Sequence, residues 1–287
     1  MNIKFLINTE IDRRKWNACV ENSPQYIPYS RYEYLEGVCN GVWGGLIKGD
    51  YEAVFPIPYR KKWGLVYYIY QPNFCQQLGV FGDPSIKTEV FLKKLPIRFR
   101  RVHLCVHGTS GEVKGAEEKP NFILYRNNGE KPFNKDATKN INKCKNANIS
   151  YTQTKDIGLV LKTYHSAWGD AAGFSFPQDY IGFEKACRSL LGSNHIYICM
   201  AKDKKLILAA AIFLVSKNTV HYVCAAPTEE GKRLGIMHGV IDHIADQFPN
   251  KSIDFEGSSI PSVVSFYQKF GAQNVPYLRI ERNLRLF

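Results

Sequence analysis

Hydrophobic and polar positions repeat in a similar order in two parts of the chain. Residues 45–72 and 199–227 each hold three apolar runs separated by charged turns, and the third run alternates before it ends at a proline. This spacing predicts two three-stranded meanders. Each meander follows segments with helical periodicity and precedes a helix and one more strand, an order that favours a partly parallel sheet. The pattern therefore predicts an α/β protein with two similar lobes, each built on a mixed sheet.

The lobe boundaries follow from the same pattern. We place an N-terminal lobe at residues 1–130, a basic connecting helix at 131–150 and a C-terminal lobe at 151–287. In the N-terminal lobe a glycine- and charge-rich stretch, 108–120, stands where the C-terminal lobe has its last helix. The N-terminal lobe is thus predicted to be a degenerate copy. The chemistry is expected on the C-terminal lobe or in a cleft between the two lobes.

Composition narrows the class of protein. With 45% hydrophobic residues among 287, the chain has enough apolar side chains for packed cores. No apolar run reaches the roughly 18 residues of a membrane span. Eight scattered cysteines without a CxxC pair are typical of small buried side chains in a reducing compartment. We therefore expect a cytoplasmic protein without a metal site. The net charge of +12 predicts a polyanionic partner, and nucleic acid, coenzyme phosphates and an anionic membrane surface all fit it.

Two acidic residues interrupt the predicted strand 252–256. Asp254 and Glu256 would lie on one face, about 7 Å apart, whereas a strand covered on both faces is nearly all apolar. The carboxyl end of such a strand is where α/β proteins commonly bind ligands. One interpretation is a general base or an anchor for an amine, with Glu256 favoured because Gly257 and Ser258 let the chain open there. The other is a solvated edge strand, or acids paired with basic neighbours.

The helix that follows carries the most specific motif. An apolar stripe along residues 263–270 includes Tyr267, which by itself suggests a core side chain. The stripe closes with Tyr267, Lys269 and Gly271, and the order of elements over 219–273 resembles the GNAT (Gcn5-type) N-acyltransferases. It also resembles the related Fem-type peptidoglycan aminoacyl-transferases, in which two such cores occur in tandem. The resemblance implies that Tyr267 protonates the departing coenzyme A thiolate, since a phenol stays protonated at neutral pH.

The resemblance also places the donor. GNAT enzymes hold the coenzyme A pyrophosphate in the loop before the amphipathic helix, here TEEGKRLG. Backbone N–H groups and cations at a helix N-terminus suit phosphate, and those of the loop would come from Gly231, Lys232, Arg233 and Gly235. Strand 220–224, with Val223 and Cys224, would line the rest of the donor. The loop departs from the usual family pattern, so an ordinary basic loop is the alternative interpretation.

Further residues are candidates for substrate contacts. Lys139 belongs to a row of lysines spaced four apart in the connecting helix, and Fem-type proteins carry a comparable basic helix at this junction. The row implies an anionic substrate, such as a nucleotide-linked sugar-peptide or tRNA; a solvated surface is the other interpretation. Trp168 would form a wall of the cleft unless it is a core tryptophan. In the N-terminal lobe, hydrogen-bonding side chains beside strand ends might be expected to meet substrate or serve structure: Tyr29, Arg31, Gln76 and Gln77.

The function implied by the resemblance is N-acyl transfer. The donor would be acyl-coenzyme A or a similar activated compound, and the acceptor an amine-bearing small molecule or cell-wall precursor. One alternative is a Fem-type transferase that takes an aminoacyl group from tRNA; a lysine commonly stands at the place of Tyr267 in those enzymes, and this difference favours another donor. A second alternative is a GNAT-like module without catalysis that binds nucleic acid or protein.

Overall fold

The computed structural model describes residues 2–62, 66–111, 113–169, 177–258 and 260–283. The chain forms two compact units. One comprises Met1–Lys119, Ile181–Ser189 and Pro276–Phe287, and the other comprises Pro120–Tyr180 and Leu190–Val275. Each unit has its own mixed sheet, so the predicted α/β class with two lobes is confirmed.

The elements are numbered in chain order. The strands are β1 (Ile3–Ile7), β2 (Trp43–Lys48), β3 (Ala53–Lys62), β4 (Val66–Ile69), β5 (Phe81–Gly82), β6 (Phe99–Val106), β7 (Glu117–Lys119), β8 (Phe122–Leu124), β9 (Ser150–Gln153), β10 (Ile196–Asp203), β11 (Leu206–Val215), β12 (Thr219–Pro227), β13 (Ser252–Asp254), β14 (Gln273–Asn274) and β15 (Tyr277–Asn283). The α-helices are α1 (Arg13–Asn22), α2 (Tyr32–Val38), α3 (Thr88–Leu92), α4 (Lys135–Asn146), α5 (Ile157–Trp168), α6 (Pro177–Leu190), α7 (Glu229–Leu234), α8 (Ile236–Gln247) and α9 (Pro261–Gln268). Short 3-10 turns occupy Asn8–Glu10, Pro28–Ser30 and Gly108–Ser110.

The sheet of the first unit has the order β1-β2-β3-β4-β6-β15-β7, with β5 beside β3. The predicted meander at 45–72 is present as β2, β3 and β4. The pair β4 and β6 is parallel, as expected for strands joined by a helix-containing segment. The chain returns to this sheet at its end, because β15 pairs with β6 on one side and with β7 on the other.

The sheet of the second unit has the order β14-β8-β13-β12-β11-β10-β9. The meander predicted at 199–227 is present as β10, β11 and β12. The pair β12 and β13 is parallel, and α8 connects these two strands. Strand β8, which precedes the basic helix in the chain, pairs with β13 and β14.

The core of the second unit forms between its sheet and the apolar sides of α4, α8 and α9. The predicted amphipathic helix is present as α8, whose Ile236, Val240, Ile241 and Ile244 are fully or almost fully buried. Each such side chain contributes about 1.5–3 kcal/mol when it leaves water. All eight cysteines are buried, as predicted. Among the described residues no helix combines the length and apolar character needed to cross a membrane.

Candidate functional site in the second unit

The parallel strands β12 and β13 part at their carboxyl ends. They pair only where Thr219–His221 lies beside Ser252–Asp254. Strand β13 then ends, whereas β12 continues to Pro227 with β11 on its other edge. Neighbouring parallel strands that separate in this way leave a crevice at the edge of the sheet, where ligands of α/β proteins commonly bind. We therefore treat the parting of β12 and β13 as the candidate site.

Asp254 lies at the base of this parting and faces a histidine. It is the cross-strand neighbour of His221, and His221 Nδ1 lies 3.6 Å from Asp254 Oδ2. The two side chains are only 4% and 5% exposed. Sequence reasoning saw no partner for His221, because the pairing depends on the register of two strands that are far apart in the chain. The available signal was a histidine and an aspartate in two otherwise apolar strands.

The predicted strand 252–256 is wrong beyond Asp254. The backbone turns there because Asp254 Oδ1 accepts the N–H of Glu256 at 2.9 Å, a local bond that competes with strand pairing. Glu256 adopts a φ of 61° and Gly257 a φ of 62°, so two successive residues are left-handed. Asp254 and Glu256 consequently do not share a strand face, as the sequence had suggested.

Glu256 places a carboxyl group in the protein interior. Its Oε1 is buried and has no hydrogen-bond partner among the described residues. This burial raises the pKa of the Glu256 carboxyl well above its usual range, because a buried carboxylate loses its hydration. Such an acid holds its proton at a pH where an exposed glutamate has lost it. When it does ionise, it is a stronger base than an exposed carboxylate.

Tyr267 lies on α9 with its ring in the core. It is 6% exposed and stacks on Phe255 with ring centroids 4.6 Å apart. Burial raises the pKa of the Tyr267 phenol, and the negative charges of Glu256 and Asp254 raise it further. The apolar stripe predicted for this helix is therefore confirmed. The phenol stays protonated through the neutral range, as a proton donor requires.

The predicted donor-lining residues lie on β12 beyond the parting. Val223 is half-buried, whereas Cys224 is buried. Burial raises the pKa of the Cys224 thiol, so this sulfur is neutral and a poor nucleophile. Tyr222 was missed by sequence reasoning; its ring packs 6.1 Å from that of Phe255. Burial also raises the pKa of Tyr222, followed by the charge effects of Tyr267, Cys224 and Tyr164.

The expected loop TEEGKRLG is instead the short helix α7 followed by a turn at Gly235. Thr228 caps α7, since its Oγ1 accepts the N–H of Gly231 at 3.2 Å. The N–H of Lys232 donates to Thr228 O and that of Gly235 to Lys232 O. These three amides are therefore engaged within the protein. The correction matters because the predicted phosphate cradle relied on free backbone donors, which leaves the side chains of Lys232 and Arg233.

Gly231 is held against β11. A Cβ built at this position would overlap the carbonyl oxygen of Leu208 and lie 2.9 Å from Ile236 Cγ2. We expect Gly231→Ala to lower the free energy of unfolding by about 1–3 kcal/mol, since backbone must move. Gly158→Ala in α5 is the matched control: its nearest contact would be 3.6 Å, so we expect unchanged or slightly higher stability. Urea unfolding measures both, and a Gly231→Ala protein as stable as wild type would contradict this packing.

Trp168 and Lys232 lie beside the same strand. Trp168 Nε1 donates to the carbonyl oxygen of Ala225 at 3.3 Å, which fixes the indole against β12. Lys232 Nζ lies 5.5 Å from the centre of that indole ring and 2.6 Å from Glu229 Oε1. Trp168 is 38% exposed, so it is a partly exposed wall beside β12 and not a core side chain.

The predicted connecting helix is present as α4 and bears a basic ridge, formed by Lys135, Lys139 and Lys143. The three side chains line one shallow concave surface, while Ala137, Ile141 and Cys144 face the core. Lys143 Nζ donates to Arg233 O at 2.8 Å, so the ridge adjoins the α7 turn. Lys135 and Lys139 form no ion pair with another described residue.

The remaining predicted contacts belong to the first unit. Tyr29 is fully buried, and its ring packs 5.6 Å from Tyr34. Arg31 forms ion pairs with Glu21 and Glu33. The other two predicted contacts bond to each other, because Gln77 Nε2 donates to Gln76 Oε1 at 3.0 Å. These four positions are accounted for by contacts within the first unit, and their predicted role toward substrate stays a prediction.

Comparison with known proteins rests on structure. No protein-family model matches the chain, and no curated protein matches its sequence. The solved structure of FemX superposes with a TM-score of 0.70 at 11% identity, over 97% of this chain and 97% of that one. A DUF2156 domain assigned to a lysylphosphatidylglycerol synthetase of Agrobacterium fabrum gives 0.62 at 11%, over 95% and 92%. A GCN5-related glucosamine N-acetyltransferase region of a fungal β-N-acetylglucosaminidase gives 0.50 at 9%, over 97% of this chain and 38% of that one.

Proposed function

Because the chain has the two-lobed α/β fold of FemX and the GCN5-related acetyltransferases, we propose that it is an acyltransferase that modifies an amine. The observation that carries the proposal is the pair formed by Glu256 and Tyr267 beside the parting of β12 and β13. Both groups have raised pKa values because they are buried. A carboxyl tuned to be a stronger base and a phenol that keeps its proton are the two groups that transfer of an acyl group to an amine requires.

The proposed reaction is direct attack by the amine. The amine nitrogen bonds to the acyl carbon while the bond from that carbon to the leaving group breaks. The Glu256 carboxylate takes the proton that the nitrogen loses, and the Tyr267 hydroxyl gives its proton to the departing group. Tyr267 regains a proton from water after the products leave. Burial of both groups favours this exchange, because water competes less for the two protons.

We propose acyl-coenzyme A, or a donor with a similar activated acyl group, as the first candidate. Its acyl arm would lie along β12 beside Val223 and Cys224. Its phosphates would meet Lys232 and Arg233, whose exposed positions on α7 support contact with an anion. The contribution of Gly231 and Gly235 would be to shape the turn, since their N–H groups are engaged.

Thermal unfolding with acetyl-coenzyme A, a longer acyl-coenzyme A and dephospho-coenzyme A tests the donor class. A ligand that binds only the folded protein raises the midpoint, by about 2.7 kcal/mol of stability at a hundred times its Kd. We expect a rise that is weaker with dephospho-coenzyme A and in the Lys232→Ala, Arg233→Ala double variant. Lys205→Ala, which changes an exposed lysine of the β10–β11 turn, is the control and should respond like wild type.

The basic ridge supports a second candidate, a Fem-type transferase with an aminoacyl-tRNA donor. Rows of unpaired lysines bind the phosphates of nucleic acid with an affinity that falls steeply with salt. No thermal shift with any coenzyme A compound at saturation, together with turnover when charged tRNA is added, would replace the first candidate with this one. RNA binding without turnover would favour a binding module.

A further inference from the structure

Three residues form a short hydrogen-bonded and ionic chain at the end of β13. His221 Nδ1 lies 3.6 Å from Asp254 Oδ2, and Asp254 Oδ1 accepts the N–H of Glu256 at 2.9 Å. We propose, on the premise that Glu256 is the base of the proposed transfer, that His221 and Asp254 are positioning residues. They hold Glu256 in its left-handed turn and thereby keep its carboxyl in the buried pocket.

The turn needs a tether because it is doubly unfavourable. A side chain at positive φ brings Cβ too close to the following carbonyl oxygen, and Glu256 adopts a φ of 61°. The turn also leaves Glu256 Oε1 buried with no hydrogen-bond partner among the described residues. Without the bond to Asp254, we expect the backbone to relax to an extended conformation and the carboxyl to reach water.

The surroundings leave this role to Asp254. The titratable groups near Glu256 are Tyr222 and Cys224 on β12, Tyr267 on α9 and Tyr164 on α5. Burial raises the pKa of each of these four groups. Near neutral pH they are uncharged, so they supply no cation that would hold a Glu256 carboxylate in place. His221 in turn fixes the orientation of Asp254 from the neighbouring strand.

Carbon-13 NMR of the whole chain, with glutamate labelled at Cδ, tests the proposal. Loss of one signal in Glu256→Gln assigns the Glu256 carboxyl. Asp254→Asn and Asp254→Ala both remove the Asp254 charge, but only asparagine keeps an oxygen that can accept the Glu256 N–H. We expect Glu256 to titrate well above the usual range in wild type and in Asp254→Asn. In Asp254→Ala we expect its midpoint to fall by about one pH unit or more as the carboxyl becomes hydrated.

Two results would overturn the proposal: a wild-type midpoint in a folded Asp254→Ala protein, or the same fall in Asp254→Asn as in Asp254→Ala. If Asp254→Ala does not fold, His221→Phe takes its place, because it keeps a buried ring and removes the nitrogen that faces Asp254. A lowered midpoint there supports the proposal, and an unchanged one rejects it. The titration needs no substrate, so its outcome is separate from that of the donor experiment.

Discussion

Tyr267→Phe is expected to lower acyl-transfer turnover by about a hundredfold or more. The free energy of unfolding should stay within about 1 kcal/mol of wild type, since the ring that stacks on Phe255 is retained. The reason is that only the hydroxyl can protonate the leaving group. Turnover is measured as release of the free thiol from the acyl-coenzyme A that raises the unfolding midpoint, with a panel of primary amines as acceptors. Urea unfolding measures stability on the same preparations.

Tyr197→Phe is the matched control for this prediction. It removes a tyrosine hydroxyl from the same core, one that lies 3.1 Å from His243 Nε2 on β10 and away from the parting of β12 and β13. We expect it to cost stability of about 1 kcal/mol and to leave turnover unchanged. A Tyr267→Phe protein that loses turnover and stability to the same extent as this control would place Tyr267 in the core only.

Glu256→Gln is expected to abolish most turnover and to stabilise the fold at alkaline pH. Glutamine keeps the size of the protonated acid but cannot accept the proton of the amine. In wild type the folded pKa of Glu256 is raised by burial, whereas the unfolded chain titrates near the ordinary value of about 4.3. The folded protein therefore binds the extra proton, and its stability falls as pH rises from the unfolded pKa through the folded pKa.

Unfolding at a series of pH values separates the two proteins. We expect the difference in unfolding free energy between Glu256→Gln and wild type to increase with pH over that window. The increase should be about 1.4 kcal/mol for each pH unit by which the folded pKa exceeds the unfolded one. Glu230→Gln, which changes an exposed acid of α7, is the control and should show no such trend. Parallel curves for Glu256→Gln and wild type would contradict a buried, protonated Glu256.

Local periodicity was sufficient for much of the fold. The meander of β10, β11 and β12 and the apolar side of α8 follow from spacings of two and of about 3.6 residues. The cap at Asp12 marks the start of α1 in the same local way, since its side chain accepts two backbone N–H groups of the first turn. The motif around Tyr267 also identified the fold that the structural neighbours share.

Strand membership could not be read from the same patterns. Strand β8 joins the sheet of the second unit and β15 that of the first, with partners more than a hundred residues away in the chain. Both strands are short or at the end of the chain, and a pairing partner leaves no local trace in a sequence. The turn after β13 was missed for a related reason, because Asp254 uses its side chain in place of the strand ladder.

The sequence by itself determined the α/β class, the amphipathic helices and the presence of Tyr267 and Glu256 near the end of a strand, because each depends on neighbours within a few residues. The tertiary structure decided what those residues can do. It paired His221 with Asp254 across two strands, turned Glu256 inward and engaged the amides of the α7 turn. Register, burial and the pKa values that follow from burial are properties of packing between distant segments, so only the folded chain has them.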